Sequence, residues 1–224
     1  MMMSLFSMFD PMANFNLTMN WSIIMLMVIF MPLKFWTSNS RLLTLNYMIY
    51  NKLNMEFNSM FNKNILIKGT TLIMMSMFTF IMMSNLTSNF PYTFCYSAHI
   101  SFSMSMAIPI WMSIILFQWM IFTKTMLAHL VPTGTPPMLM PLMVMIETTS
   151  NIIRPFALAV RLSANLIAGH LLMALLGNTM NVKQNYWPLI VIIQTIFLMF
   201  ELLVALIQSY VFSVLMTLYS SEIS

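Results

Sequence analysis

Arg161, Glu147, Asn165 and His170 fall in one apolar run, residues 142–177, and Glu201 and Gln208 fall in the next, 188–220. No cysteine–histidine cluster or nucleophile–base pattern accompanies them. Their chemistry is that of moving or holding a proton: an imidazole and two carboxylates can exchange one, while a guanidinium cannot. Arg161 lies near the middle of its run and Glu201 near the middle of the other. An ionised group at bilayer depth costs about 2.5 kcal/mol or more, so such residues mark ion or proton pathways by default.

The bilayer is implied by composition. Hydrophobic residues make up 60% of the 224-residue chain and charged residues only 6%, against about a quarter charged in a soluble domain. The formal charge of +4 is not a nucleic-acid signal, because the basic residues are not interleaved with aromatics. A single cysteine, Cys95, excludes an internal disulfide and a multi-cysteine metal site and reads as a small apolar filler.

About 20 apolar residues cross a bilayer as a helix. Five runs qualify: 15–36, 69–86, 100–122, 142–177 and 188–220. Lys34, Arg41, Lys52, Lys63 and Lys68 fill the first connection and Lys124 the third, whereas the second holds no Lys or Arg and the fourth only Lys183. The positive-inside rule then places the N-terminus outside and the C-terminus inside. Between the first two runs, apolar residues alternate with Asn, Lys and Arg, which predicts an amphipathic helix on the inner surface. The Pro- and Gly-bearing stretch 131–137 reads as a rigid non-helical turn.

Runs four and five each exceed 30 residues, or roughly 50 Å as continuous helices. They require tilt, or a kink at Pro155, and the short segment between them makes a helical hairpin. The expected fold is therefore an all-α membrane protein: five transmembrane helices, a surface amphipathic helix, and a long tilted hairpin at the end. It forms one integral-membrane domain, 1–224, in three parts: 1–68, 69–140 and 141–224.

At about 100° per residue, the face of Arg161 also carries Arg154, Ala157, Ala164, Asn165, Ala168 and Leu172. Small residues beside a buried charge admit a close partner helix. His170 falls on the opposite face, and Gln194, Glu201 and Gln208 form one stripe at i, i+7, i+14. Folding the hairpin sets Arg161 opposite roughly Gln208 and His170 opposite roughly Glu201. The expected ladder is an outer acid–imidazole layer, a central guanidinium, and Glu147 toward the inner surface. Blander readings are an Arg161–Glu201 ion pair, a Glu147–Arg154 pair at the inner interface, and interhelical hydrogen bonding by Asn165 and Gln208. His99 and His129 flank spans and read as interfacial.

The segment from Ile153 to His170, with its pattern Arg-Leu-x-x-Asn-x-x-x-Gly, resembles the signature of subunit a of the rotary F-type ATP synthase in its mitochondrial form. Ala128-His129-Leu130-Val131-Pro132, Ile146-Glu147-Thr148 and Gln208-Ser209-Tyr210-Val211-Phe212 support it, and similarity weakens in the first 65 residues. The resemblance implies a non-catalytic, proton-conducting subunit of the mitochondrial inner membrane, without a cofactor. Its partners would be the subunit c ring and the other membrane-sector subunits. It implies that Arg161 faces the ring carboxylates with Asn165 and Gln208 as neighbours, that Glu147 lies along the inner exit, and that His170 and Glu201 line the outer inlet. Bacterial relatives carry the last two residue types exchanged. A self-contained ion channel or carrier, and a cofactor-binding respiratory subunit, are the alternatives; only His170 would supply a haem ligand at clear membrane depth, and no internal repeat is visible.

Overall fold

The computed structural model describes residues 5–12, 18–29, 38, 40–61, 69–90, 93–131, 134, 136–179 and 186–221. Every regular element among them is helical: α1 (Ile23–Ile29), α2 (Arg41–Met60), α3 (Thr70–Ser88), α4 (Ile100–Ile121), α5 (Thr123–His129), α6 (Met140–Asn178) and α7 (Trp187–Ser221), with short 3-10 turns, one of them Leu5–Phe9. Among the described residues, α3, α4, α6 and α7 are long and apolar enough to cross a membrane. The first expected span is represented by a shorter apolar helix, Met19–Ile29; 15–17 and 30–36 lie outside the described residues, as do Lys183 and part of the 131–137 turn.

The expected amphipathic segment is the 20-residue α2. Ser40 caps it, its Oγ accepting from the Leu43 N–H at 3.3 Å, and so meets one of the unpaired donors of the first turn. Most of α2 is exposed, but Phe57 is fully buried against α3 and α7 residues including Met74 and Met216. Tyr210 Oη donates to Glu56 Oε2 at 3.3 Å, and Thr217 Oγ1 reaches Met60 Sδ at the same distance. These contacts anchor the end of α2 beside the C-terminal half of α7. Gly69 caps α3 with φ +97°, a left-handed conformation that a side chain would strain.

α3 packs along α7, α4 packs along α6, and α6 meets α7. Beside the apolar residues Ile81, Phe212 and Met216, both helices bury small hydroxyl residues: Ser84 and Ser88 on α3, and Ser209, Ser213 and Thr217 on α7. Each donates back to a carbonyl of its own helix. None of these donors is stranded, and the backbones can approach closely. Leu158, Ala159 and Leu162 of α6 join Ile81, Phe212 and Met216 in the main core. A second cluster closes the N-terminal end of α4: Met27, Phe94, Tyr96 and Phe102, with the Tyr96 hydroxyl between Thr87 Oγ1 and Met27 Sδ, both at 3.1 Å.

At 39 and 35 residues, α6 and α7 are the longest described elements, and α6 is one continuous helix across Pro155. Its rise of about 1.5 Å per residue makes it far longer than a hydrocarbon core about 30 Å thick.

Cys95, in the segment between α3 and α4, is 3% exposed, and burial pushes its thiol up to about 11 from an ordinary 9.0. A thiol held there carries about a hundredfold less thiolate near neutral pH. N-ethylmaleimide should therefore label Cys95 only after denaturation; rapid labelling in native membranes, followed by mass spectrometry, would contradict this packing.

Candidate functional site

α6 divides its polar residues between two faces, as its period requires. Arg161, Ala157, Ala164, Asn165, Ala168 and Leu172 lie on the more open face, whereas Leu158, Leu162, Gly169 and His170 are buried. Arg161 makes no ion pair or hydrogen bond among the described residues, where the ion pair formed is Glu147–Arg154, so the expected alternative of an Arg161–Glu201 pair is not what forms. Its side chain lines a 370 Å³ recess with Ala157, Arg154 and Tyr219.

The level expected to match Arg161 with Gln208 is taken up one turn along α6. Asn165 Nδ2 donates to Gln208 Oε1 at 3.1 Å. Glu201 lies beside Gly169: a Cβ built there would sit 2.5 Å from Glu201 Oε1 and 2.9 Å from Cδ. The contacts run antiparallel, with Asn165 against Gln208 and Gly169 against Glu201. The glycine of the Arg-Leu-x-x-Asn-x-x-x-Gly pattern is thus the residue that lets the carboxylate reach the α6 backbone.

His170 and Glu201 line one cavity of 710 Å³, together with Asn89, Gln194 and Asp10. They do not bond each other. His170 Nε2 and Glu201 Oε1 are buried without a partner among the described residues, while the edge of the Phe9 ring meets the imidazole at 6.5 Å. Glu201 Oε2 is held instead by Asn89, whose amide, turned nitrogen toward the carboxylate, donates at 2.7 Å. One turn back on α3, Asn85 is 1% exposed with both amide atoms unpaired among the described residues. Buried polar atoms of this kind require hydrogen-bonding company, and water is the small molecule that supplies it.

Asn85 faces a second cavity, of 280 Å³, shared with Asn165, Gly169, Glu201 and Gln208. Glu201 therefore stands between two spaces, one shared with His170 and the N-terminal segment and one opening beside the exposed face of α6. Toward the other end of α6 lies a 630 Å³ cavity lined by Glu147, Asn151, Gln118, Arg154 and Tyr219. Glu147 Oε1 and Arg154 Nη2 are 3.9 Å apart, and Arg154 stacks over the Tyr219 ring at 4.8 Å. Arg154 and Tyr219 also line the recess of Arg161. None of these four cavities is lined by both Glu201 and Glu147.

Asn85 and Asn89 escape a reading confined to polar residues of the last two runs. Their signal is nonetheless present: two amides at i, i+4 near the end of an apolar run. Asp10 and Tyr219 belong to the site as well, but only tertiary structure brings them there. His99 is confined by aromatic rings, 5.6 Å from Trp21 and 5.3 Å from Phe94.

Residues 16–221 match the family model described as ATP synthase A chain. The chain is 46% identical to ATP synthase subunit a of Aedes albopictus, 47% to that of Aedes aegypti and 46% to that of Locusta migratoria, each covering the whole of both chains.

Gly169→Ala is expected to push the Glu201 carboxylate off Asn89 and to cost about 1–3 kcal/mol, the usual range for an overpacked site. Gly177→Ala, with nothing within 4 Å of the added carbon, should stay within about 1 kcal/mol of the parent. Thermal denaturation of the chain in its native membrane assembly checks both; equal midpoints for the two variants would contradict the close approach at Gly169.

Proposed function

The chain belongs to the ATP synthase A chain family, and from that premise we propose that it carries protons through two offset half-channels against a rotating ring of subunit c. As a membrane-sector subunit of the rotary ATP synthase it would lie in the mitochondrial inner membrane, N-terminus in the intermembrane space and C-terminus in the matrix. α6 and α7 would form the tilted hairpin against the ring. The observation that carries the reading is the division of α6: Arg161 exposed among alanines, and His170 buried on the other side in the cavity that it shares with Glu201 of α7.

A proton enters from the outer side into the cavity of His170 and Glu201. Glu201 faces both that cavity and the smaller one at the α6 surface, so it can accept a proton from one and release it to the other. The proton then neutralises a ring carboxylate beside Asn165 and Gln208. Neutralisation removes most of the cost of carrying that carboxylate into lipid, and the ring can turn. After nearly a full turn the ring acid meets the inner cavity, ionises, and its proton leaves past Glu147.

Arg161 attracts the ionised ring site and lies between the two half-channels. A guanidinium does not give up its proton in a protein, so Arg161 cannot act as a relay. It is a fixed positive barrier to a direct leak. Arg154, clamped over Tyr219 and near Glu147, supports the exit wall. Each proton crossing contributes about 2.3 kcal/mol per 100 mV of membrane potential. This chain makes and breaks no covalent bonds between heavy atoms; ATP would form on other subunits.

In reconstituted complexes Arg161→Ala should abolish ATP-driven proton pumping, and Arg161→Lys should impair it severely because an ammonium lacks the planar fork. Pumping at parental rates by the Ala variant would overturn the proposal.

A further inference from the structure

Asp10 is the one acid at the outer end that the ladder of α6 and α7 leaves out, and the fold gives it a defined position. Its segment, the 3-10 turn Leu5–Phe9 and the residues that follow, packs on α6. Phe9 presents its ring edge to His170, and Met8, Asp10 and Met12 form part of the wall of the 710 Å³ cavity. Two bonds fix the acid: Asn20 Nδ2 donates to the Asp10 carbonyl at 3.2 Å, and Asp10 Oδ1 accepts from the Met12 N–H at 3.1 Å.

Among the described residues the cavity is electrostatically one-sided. Its titratable residues there are Asp10 from the N-terminal segment, His170 from α6 and Glu201 from α7; no described Lys or Arg lines it, and the described part of the α3–α4 segment contributes neutral groups such as Asn89 and Thr93. Asp10 is exposed, whereas His170 is buried and Glu201 partly so. A cleft lined with charge of one sign concentrates counter-ions and raises their arrival rate by about tenfold or more.

We propose that Asp10 is the proton-collecting carboxylate at the mouth of this cavity, mounted on an N-terminal segment that forms the cavity's outer wall. A proton taken from the outer medium onto an Asp10 carboxylate oxygen passes into the cavity and leaves the carboxylate as it was, so the residue turns over unchanged. The role rests on the reading of this cavity as the proton inlet. It differs from that of Glu201: Asp10 sets how fast protons are gathered, not whether the passage conducts.

The test uses the intact complex in proteoliposomes, with proton uptake driven by an imposed potential. In weakly buffered medium Asp10→Asn should slow uptake by about tenfold, and Asp10→Glu should restore it. Raising the concentration of a small mobile buffer, which delivers protons to the cavity directly, should abolish the deficit. Unchanged uptake in weak buffer would overturn the role, and so would a deficit that persists at high buffer, the mark of structural damage. Glu201→Gln, measured alongside, separates the two claims. If it conducts normally, the reading of the cavity as the inlet fails; if it blocks uptake while Asp10→Asn has no effect, only the role of Asp10 fails.

Discussion

A charge or an unpaired polar group inside a membrane must find a partner, a wet cavity or another subunit, because the hydrocarbon offers nothing. The arrangement of α3, α6 and α7 follows from that constraint. Arg161 has no ion-pairing partner among the described residues, and it stands on a strip of α6 where Ala157, Ala164 and Ala168 leave room for another helix. His170 is turned the other way, toward a cavity bounded by α3 and the N-terminal segment, and Glu201 of α7 faces both that cavity and the smaller one at the α6 surface. Setting the fixed cation of α6 about two helical turns from the level of the protonatable acid of α7 keeps them from neutralising each other as a simple ion pair. Both remain available for other work.

Close packing of α3 on α7 makes this possible. Buried serines and threonines on both helices bond to their own backbones, beside an apolar core that includes Ile81, Phe212 and Met216. Closure brings Asn89 to Glu201 and Asn85 to the space near Gln208. Gly169 supplies the remaining clearance on α6. The carboxylate is thus gripped at Oε2 and free at Oε1, between two cavities. Toward the N-terminal end of α6, Arg154 has an analogous place: it borders both the recess of Arg161 and the cavity of Glu147, with Tyr219 beneath it.

Much of this was legible in the sequence because hydropathy and helical period are local properties. Apolar runs predict α3, α4, α6 and α7 to within a few residues, and 100° steps separate Arg161 from His170 correctly. The level matching of α6 with α7 is right for Glu201 near Gly169 and His170. It is about one turn off at the other end, where Asn165 and not Arg161 engages Gln208; the loop used for the folding count does not fix the phase of either helix. The partners from other elements are a different matter. Nothing local in Asn85, Asn89, Asp10 or Tyr219 says which helix each will meet, since that depends on packing between segments far apart in sequence. The pairing of Glu147 with Arg154 at i, i+7 was visible, but the stacking of Arg154 on Tyr219 was not.

The central claim is that the exposed alanine face of α6 beside Arg161 is where the ring of subunit c passes. The most direct measurement is oxidative crosslinking in native membranes between a cysteine placed at Ala164 and cysteines on the outward helix of the ring subunit near its carboxylate. Ala159, fully buried on the other side of the helix, provides the control position. Disulfide formation from Ala164→Cys but not from Ala159→Cys is expected. A ring crosslink from Ala159→Cys alone, or none from Ala164→Cys in an assembled and active complex, would contradict the placement of Arg161 at that interface.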